Sequence, residues 1–274
     1  MNALLQPVLQ PLAALGWRII GTLEVVGGLG LLLARAAQRT PRALFLGRGK
    51  RLGWRNLFFQ MVRVGVRSVG IVSVVLAAIG AILALQIAPV LEQFGAVGEV
   101  DRIIAIAVVR ELGPLVAAIV LTGFAGASIA AELGTMVVGE EVEALETHAI
   151  DPIRFLVVPR VIATTVMTVC LAVVGDVMGL AGGLVVSTAL LDASWQVYVE
   201  DTFAAIDLTD FFTGLLKAMV FGLIIGGLAC HLGLSVRGGA EGVGNATTRS
   251  VVLTIVFLIV VDLIFTGVFF AIDL

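Results

Sequence analysis

Long apolar stretches separated by short polar segments dominate the chain. Five of these stretches carry at most two charged residues each and are long enough to cross a bilayer core of about 30 Å, which takes about 20 helical residues. Backbone polar groups find no water inside a bilayer, so each crossing segment should satisfy them internally as a helix. The predicted spans are residues 68–91, 103–131, 161–191, 211–230 and 250–272. The pattern therefore predicts an all-α, polytopic membrane protein with five transmembrane helices.

The stretch at residues 12–33 is also long, but it contains Arg18, Glu24 and several glycines. We predict that it forms a helix lying in, or dipping into, the inner membrane interface. A sixth transmembrane helix is the alternative. The chain then divides into an N-terminal cytoplasmic and interfacial helical region, residues 1–67, and a transmembrane domain, residues 68–274.

A different pattern appears between the second and third spans, where apolar residues recur at helical spacing and acidic residues cover much of the remaining surface. The apolar positions are Val138, Val142, Leu145 and Ala149. The acidic positions are Glu140, Glu141, Glu143 and Glu146. This predicts a short cytoplasmic amphipathic helix, ended by Pro152. Its acidic face could be solvated or dock on a partner; acidic residues gain nothing from anionic lipid, which slightly favours a protein partner.

The distribution of basic residues indicates how the helices are oriented. Only 14% of the residues are charged and 59% are hydrophobic, with a mean hydropathy of +1.12, which excludes an ordinary soluble domain. Nine of the seventeen Lys and Arg residues lie between Arg35 and Arg67. Because basic loops favour the cytoplasmic side and the later loops alternate between basic and non-basic, we predict a cytoplasmic N-terminal region and an external C-terminus.

Ionisable residues stand inside the predicted spans, among them Arg110, Glu111, Lys217 and Asp262. Such residues are costly in hydrocarbon unless paired or hydrated, and they normally face a bundle interior or a water-filled cavity. They could form a polar patch in a translocation cavity, able to meet a charged headgroup, or a structural ion-pair lock between helices. Asp176 belongs to the same argument, unless it lies nearer the outer end of a long third helix.

The chain shows no motif for catalysis, since it has neither a GxxxxGK[ST] nucleotide-binding loop nor an HExxH motif. His148 and His231 fall on different loops, which argues against a metal site. Cys170 and Cys230 are expected to be buried apolar residues. We therefore expect no catalytic apparatus, metal, cofactor or nucleic-acid partner, and if the chain pumps a substrate, another subunit must supply the energy.

Several short motifs follow one another in a fixed order. They are Arg110-Glu-Leu-Gly-Pro114, Ala130-Ala-Glu-Leu-Gly-Thr-Met136, Glu143-Ala-Leu-Glu146, Asp151-Pro-Ile-Arg154, Val158-Pro-Arg160, Val236-Arg-Gly-Gly-Ala-Glu-Gly-Val-Gly244 and Ala246-Thr-Thr-Arg249. In this order and spacing they closely resemble the MlaE (YrbE) family of ABC-transporter permeases, from about residue 48 to the C-terminus.

The resemblance implies a homodimeric permease in the inner membrane, with cytoplasmic ABC ATPase subunits below it and an MCE-domain lipid-binding protein on the periplasmic side. Its cargo would be phospholipid or a related lipid, moved between the inner membrane and the outer envelope. It also implies an N-terminal interfacial helix, an ATPase-coupling helix at residues 135–150, and a lipid path near Arg110, Glu111, Lys217 and Asp262. The chain departs from the family at Phe124, where many relatives carry Arg.

A lipid has an apolar body and a charged head, so its carrier should offer an apolar cavity with a few charges. Candidate lining residues lie toward the outer end of the first span: Ile82, Leu85, Gln86 and Pro89. Two other functions stay open. An ion-coupled secondary transporter would use Glu111 and Asp262 as proton carriers, whereas a structural membrane anchor would only hold an envelope complex together.

Overall fold

The structure is almost entirely helical. This computed structural model describes residues 6–44, 50–190 and 194–272, and within these ranges it has no β-strand. Five segments of the described chain are long and apolar enough to cross a membrane: Trp54–Gln93, Val100–Val138, Ile153–Leu190, Leu208–Leu234 and Gly239–Ala271. The predicted all-α class and the five predicted spans are confirmed.

The first span begins earlier than the charge pattern predicted. The elements here are α1 (Gln6–Leu44), α2 (Lys50–Val64), a 3-10 turn (Val66–Ser68) and α3 (Val69–Gln93). The apolar helical segment starts at Trp54, within α2, and runs through the turn. Basic residues do not end it, because Arg63 forms an ion pair with Glu132 of the second span at 2.6 Å.

The second span consists of three α-helical segments separated by two π-helical turns. After a 3-10 turn (Val97–Glu99), the order is α4 (Val100–Ala107), a π turn (Val108–Leu112), α5 (Gly113–Leu121), a second π turn (Thr122–Gly126) and α6 (Ala127–Val138). Pro114 lies in the first turn of α5, where its missing N–H needs no partner. The irregular geometry therefore falls just before the proline, on Arg110 and Glu111. Such π turns are frequent at functional sites.

The acidic segment between the second and third spans contains a short helix, α7 (Glu141–Thr147), which is shorter than the pattern predicted. Glu140 and Ala149 both adopt left-handed backbone conformations, with φ of 57° and 56°. Val138 therefore still belongs to α6, and Ala149 lies in the turn that follows α7.

The sequence predicted that Pro152 ends this helix, and that prediction is wrong, because α7 already ends at Thr147. Pro152 is the residue before a π turn (Ile153–Val157) that leads directly into α8 (Val158–Leu190). The remaining helices are α9 (Trp195–Ala205), α10 (Leu208–Leu234) and α11 (Gly239–Ala271). We call the end of the bundle that carries α7 the connector end.

Helix α8 is the central element of the bundle, packing against α3 on one side and α10 on the other. Both contacts depend on glycine, which lets helix backbones approach closely. A Cβ at Gly80 of α3 would collide with the backbone carbonyl of Gly179, and a Cβ at Gly222 of α10 would lie 2.5 Å from the Thr165 Cα. The backbones therefore approach too closely for any larger residue.

Helix α9 caps the end of the bundle opposite the connector. Tyr198 is 2% exposed, and its hydroxyl donates a hydrogen bond to the Leu180 carbonyl at 2.9 Å. Burial and the nearby Asp101 carboxylate raise the pKa of Tyr198 to about 12, so the hydroxyl keeps its donor proton. This contact holds α9 against α8.

Helix α1 packs against the connector end of the bundle. A Cβ at Gly28 would meet the imidazole of His231, and Arg39 forms a two-pronged ion pair with Asp151, with both N–O distances at 2.9 Å. The side chains of residues 6–20 lie outside the described part of the structure. Helix α1 contains residues 12–33 and is not among the five candidate spans found in the described residues. Its interfacial position stays a prediction.

Candidate functional site

The centre of the candidate site is the ammonium group of Lys217 on α10, a side chain that is only 1% exposed. Its Nζ donates to Glu111 Oε2 at 2.6 Å and to Thr266 Oγ1 at 3.0 Å. Asp262 Oδ1 lies 3.0 Å from the same Nζ. We call Glu111, Lys217, Asp262 and Thr266 the Lys217 cluster. It joins the second, fourth and fifth spans through one buried cation.

Helical spacing explains how these side chains meet. Asp262 and Thr266 are four residues apart on α11 and therefore lie on one face of that helix. Glu111 comes from the π turn, which locally changes the direction in which successive side chains point. Thr266 was not predicted from the sequence, although its spacing from Asp262 is the signal that would have found it.

The structure separates the fourth predicted residue, Arg110, from the Lys217 cluster. Arg110 Nη1 donates instead to Asp210 Oδ1 at 3.1 Å, and the Asp210 side chain is only 12% exposed. Asp210 was missed because it falls just outside the apolar stretch predicted for the fourth span, residues 211–230. Its spacing of seven residues from Lys217, two turns along the same face of α10, could have found it.

The charge balance of the Lys217 cluster limits its chemistry. One ammonium faces two carboxylates, and Asp262 Oδ1 accepts no hydrogen bond from the described residues despite its short distance to Nζ. The Glu111 side chain is 34% exposed, so the cluster is open on that side. The Lys217 ammonium is shared between Glu111 and Asp262, so their carboxylate oxygens can still accept further hydrogen bonds. The cluster can therefore lock three helices and still accept a hydrogen bond from a bound polar group.

Asp176 does not join the Lys217 cluster. It is 6% exposed, its Oδ1 accepts no hydrogen bond from the described residues, and it lies so close to Gly113 that a Cβ there would collide with it. It lines an apolar cavity of about 320 Å³ between α8, α9 and α10 whose walls include Phe203 and Phe211. Burying a carboxyl oxygen without a hydrogen-bond partner costs free energy, so Asp176 at this position destabilises the fold locally.

The predicted cavity-lining residues of the first span share one exposed face of α3. This face comprises Ile82, Leu85, Gln86 and Pro89, and the opposite face buries Val72, Leu76, Gly80, Ala84 and Ala88. Ile82 and Leu85 are each about half exposed in the single chain. They are available to contact a second chain or a lipid.

The acidic residues of the connector are also exposed, namely Glu140, Glu141, Glu143 and Glu146. Leu145 faces the other way: together with Val142 it is half-buried and packs against the main hydrophobic core. Helix α7 therefore has an anchored apolar face and an acidic free face.

A second ionic group lies near the connector end and was not predicted. Glu132 of α6 pairs with Arg63 of α2 at 2.6 Å and with Arg160 of α8 at 3.0 Å, and the Arg160 side chain is only 4% exposed. Phe124 is 43% exposed and lines a pocket together with Arg63 and Arg67. This pocket therefore holds basic side chains from the first span.

Among the described residues, no three His, Cys, Asp or Glu side chains come together in a way that could hold a metal ion. Both cysteines have free thiols. Cys230 is buried in α10, whereas Cys170 is exposed on α8, so the predicted burial of Cys170 is wrong.

Five apolar spans, an ionic cluster buried among them and a short acidic helix at one end define a multi-pass helical membrane protein of the permease type. The model of the family Permease MlaE matches residues 57–268, so the chain belongs to the MlaE permease family and is an ABC transporter permease.

Three relatives illustrate the range of the similarity. A probable ABC transporter permease protein of Rickettsia prowazekii is 39% identical over 211 residues, covering 77% of this chain and 82% of its own length. A probable ABC transporter permease protein of Synechocystis is 36% identical over 210 residues, covering 77% and 80%. The protein TRIGALACTOSYLDIACYLGLYCEROL 1 of Arabidopsis thaliana chloroplasts is 32% identical over 220 residues, covering 80% and 63%.

Proposed function

We propose that this permease moves phospholipid or a related lipid between the inner membrane and the outer envelope, driven by ATP hydrolysis on a separate cytoplasmic subunit. The observation that carries the proposal is the Lys217 cluster, because it places a partly open ionic group inside an apolar bundle. A lipid needs both kinds of surface on its path, since its chains lose about 0.8 kcal/mol per methylene when exposed to water. The plant relative, named after a galactolipid, supports a lipid cargo.

Helix α7 is proposed as the coupling element to the ATPase. Its acidic face is free, Val142 and Leu145 fix it to the core, and the ion pair between Arg39 and Asp151 braces the turn that follows. A movement imposed on α7 would therefore be passed to α8 through the π turn at Ile153–Val157 that leads into it.

The proposed assembly is a homodimer in the inner membrane with an MCE-domain protein on its periplasmic side. The exposed face of α3 at residues 82–89 would then form a cavity wall shared by the two copies. In this arrangement the chain before the first span is cytoplasmic or interfacial, and the C-terminus is periplasmic.

Charge reversal on α7 tests the coupling role. Glu143→Lys with Glu146→Lys should abolish copurification of an ATPase with the tagged chain, because the acidic face is lost while Val142 and Leu145 are kept. The matched control is Glu92→Lys, which changes an exposed acid at the opposite end of the first span and should leave copurification unchanged. Equal ATPase recovery from all variants would refute docking through α7.

A transport assay separates the lipid permease from the two other functions. Vesicles containing the purified complex and a fluorescent phospholipid should transfer that lipid only when ATP is hydrolysed. Transport driven by an ion gradient without an ATPase would indicate a secondary transporter. If Glu111→Ala and Asp262→Ala left lipid transfer intact, the Lys217 cluster would be structural and the lipid path would lie elsewhere.

A further inference from the structure

A second polar pocket, separate from the Lys217 cluster, lies between the first and second spans toward the connector end. Its volume is about 100 Å³, and its polar lining consists of Gln60, Arg63, Arg67 and Ser128. We call it the Arg67 pocket. Arg63 reaches it from α2 and holds Glu132, which lies six residues before the end of α6.

The charges around the Arg67 pocket do not balance. Arg63 and Arg160 share a single carboxylate, that of Glu132, which leaves one positive charge in excess. Arg67 is exposed and makes no ion pair or hydrogen bond with the described residues, which adds a second. Two unneutralised guanidinium charges at the edge of a hydrocarbon layer favour an anionic ligand.

The uncharged groups of the pocket also suit an oxyanion. Gln60 is 3% exposed, and its Oε1 accepts no hydrogen bond from the described residues. An amide can turn its N–H₂ group toward a ligand. Ser128 Oγ accepts a hydrogen bond from Arg63 at 3.1 Å, so its own proton can be donated. Four side chains thus offer donors to one small space.

An apolar surface runs beside these donors. Phe59, Val62 and Val66 of the first span are 64%, 54% and 59% exposed, and they flank Arg63 and Arg67 in the sequence. An inorganic anion would leave this surface unused, whereas a lipid could place its headgroup in the pocket and its chains along the helix.

We propose that the Arg67 pocket binds the phosphate group of a phospholipid taken from the inner leaflet. This rests on the proposed function and deepens it, because it gives the cargo a phosphate-bearing head and a place of entry distinct from the Lys217 cluster. Arg67 and Gln60 are the residues that recognise the phosphate.

Native mass spectrometry of the full-length chain in detergent tests the proposal, with phosphatidylglycerol as the titrated lipid. Arg67→Ala should weaken phosphatidylglycerol binding about tenfold, the effect of losing one charge-assisted hydrogen bond. Gln60→Met, which keeps the side-chain size and removes the amide, should weaken it severalfold. The matched control is Arg55→Ala, an exposed basic residue of α2 outside the pocket, which should bind like the wild type.

Two further ligands show which part of phosphatidylglycerol the pocket recognises. Diacylglycerol, which lacks phosphate, should not saturate the wild-type site, and inorganic phosphate should not displace phosphatidylglycerol at equal concentration. The proposal is overturned if Arg55→Ala weakens binding as much as Arg67→Ala, since that would be general attraction of a basic surface. It is also overturned if diacylglycerol binds equally or inorganic phosphate competes fully. A wild-type chain that binds phosphatidylglycerol here but transfers no lipid with ATP would refute the proposed function alone.

Discussion

Lys217 shows how a single side chain can hold a membrane bundle together. Its ammonium is almost fully buried and is the only cation in contact with Glu111 and Asp262 among the described residues. Removing one partner of a buried pair leaves the other charges uncompensated, which costs far more than losing an exposed pair. The cluster therefore stabilises the contact between α10, α11 and the second span.

Lys217→Met should lower the free energy of unfolding by about 3–5 kcal/mol, because two carboxylates lose their cation. Chemical unfolding of the purified protein in detergent measures this. The triple variant Lys217→Met, Glu111→Gln, Asp262→Asn should recover most of the loss, since no charge is then stranded. Arg102→Ala is the control: its pair with Glu99 is about half exposed at 3.3 Å and should contribute at most about 1 kcal/mol. A Lys217→Met effect as small as the control would contradict the buried-pair argument.

At the same scale, the sequence predicted that charges inside the spans would be paired or hydrated, but it did not predict which partners they would have. Four of the intramembrane charges were visible as interruptions of apolar runs. The partner of Arg110 was not predicted, because Asp210 lies in the first turn of α10 and does not interrupt an apolar run. Pairing depends on the rotation of one helix about its axis relative to another, and composition does not encode that rotation.

At the scale of elements, α3 and α8 are held at backbone contact by glycine. Gly80→Ala should destabilise the protein markedly, because its Cβ would overlap the Gly179 carbonyl and rigid backbone cannot yield. Gly70→Ala lies on the same helix with open space around it and should be neutral or slightly stabilising, given the higher helix propensity of alanine.

The thermal unfolding midpoints of the two glycine variants in detergent provide the measurement. If Gly80→Ala and Gly70→Ala gave the same midpoint, helices α3 and α8 would not be in backbone contact in the folded protein.

The helices themselves were predictable because a bilayer imposes a minimum length and an apolar composition on every span. Their irregularities were not. A π turn such as Val108–Leu112 changes the register without changing composition. The left-handed Glu140 that separates α6 from α7 lies in a stretch whose apolar spacing is continuous with both helices. Local periodicity predicted that this segment is amphipathic, but it could not locate the ends of α7.

At the scale of the whole molecule, one ion pair connects the basic N-terminal region to the connector end of the bundle. Arg39 belongs to the basic N-terminal region and Asp151 to the connector, and their contact at 2.9 Å places both at one end of the bundle. Helix α8 then runs for 33 residues, about 50 Å, to reach α9 at the other end. That length exceeds a hydrocarbon core of about 30 Å, so the acidic face of α7 and helix α9 must lie on opposite sides of a membrane.

Cysteine labelling tests this arrangement after Cys170 and Cys230 are replaced by serine. Glu200→Cys on α9 should react with an impermeant maleimide in spheroplasts, because the proposed orientation places α9 on the periplasmic side. Glu146→Cys on α7 should react only in inside-out vesicles, because the basic N-terminal region to which α7 is tied favours the cytoplasm. Both positions are exposed, so reactivity reports sidedness rather than burial. Labelling of both positions from the same side would contradict the fold. If Glu146→Cys reacted in spheroplasts and Glu200→Cys only in inside-out vesicles, the fold would stand, but a cytoplasmic ATPase could not reach α7.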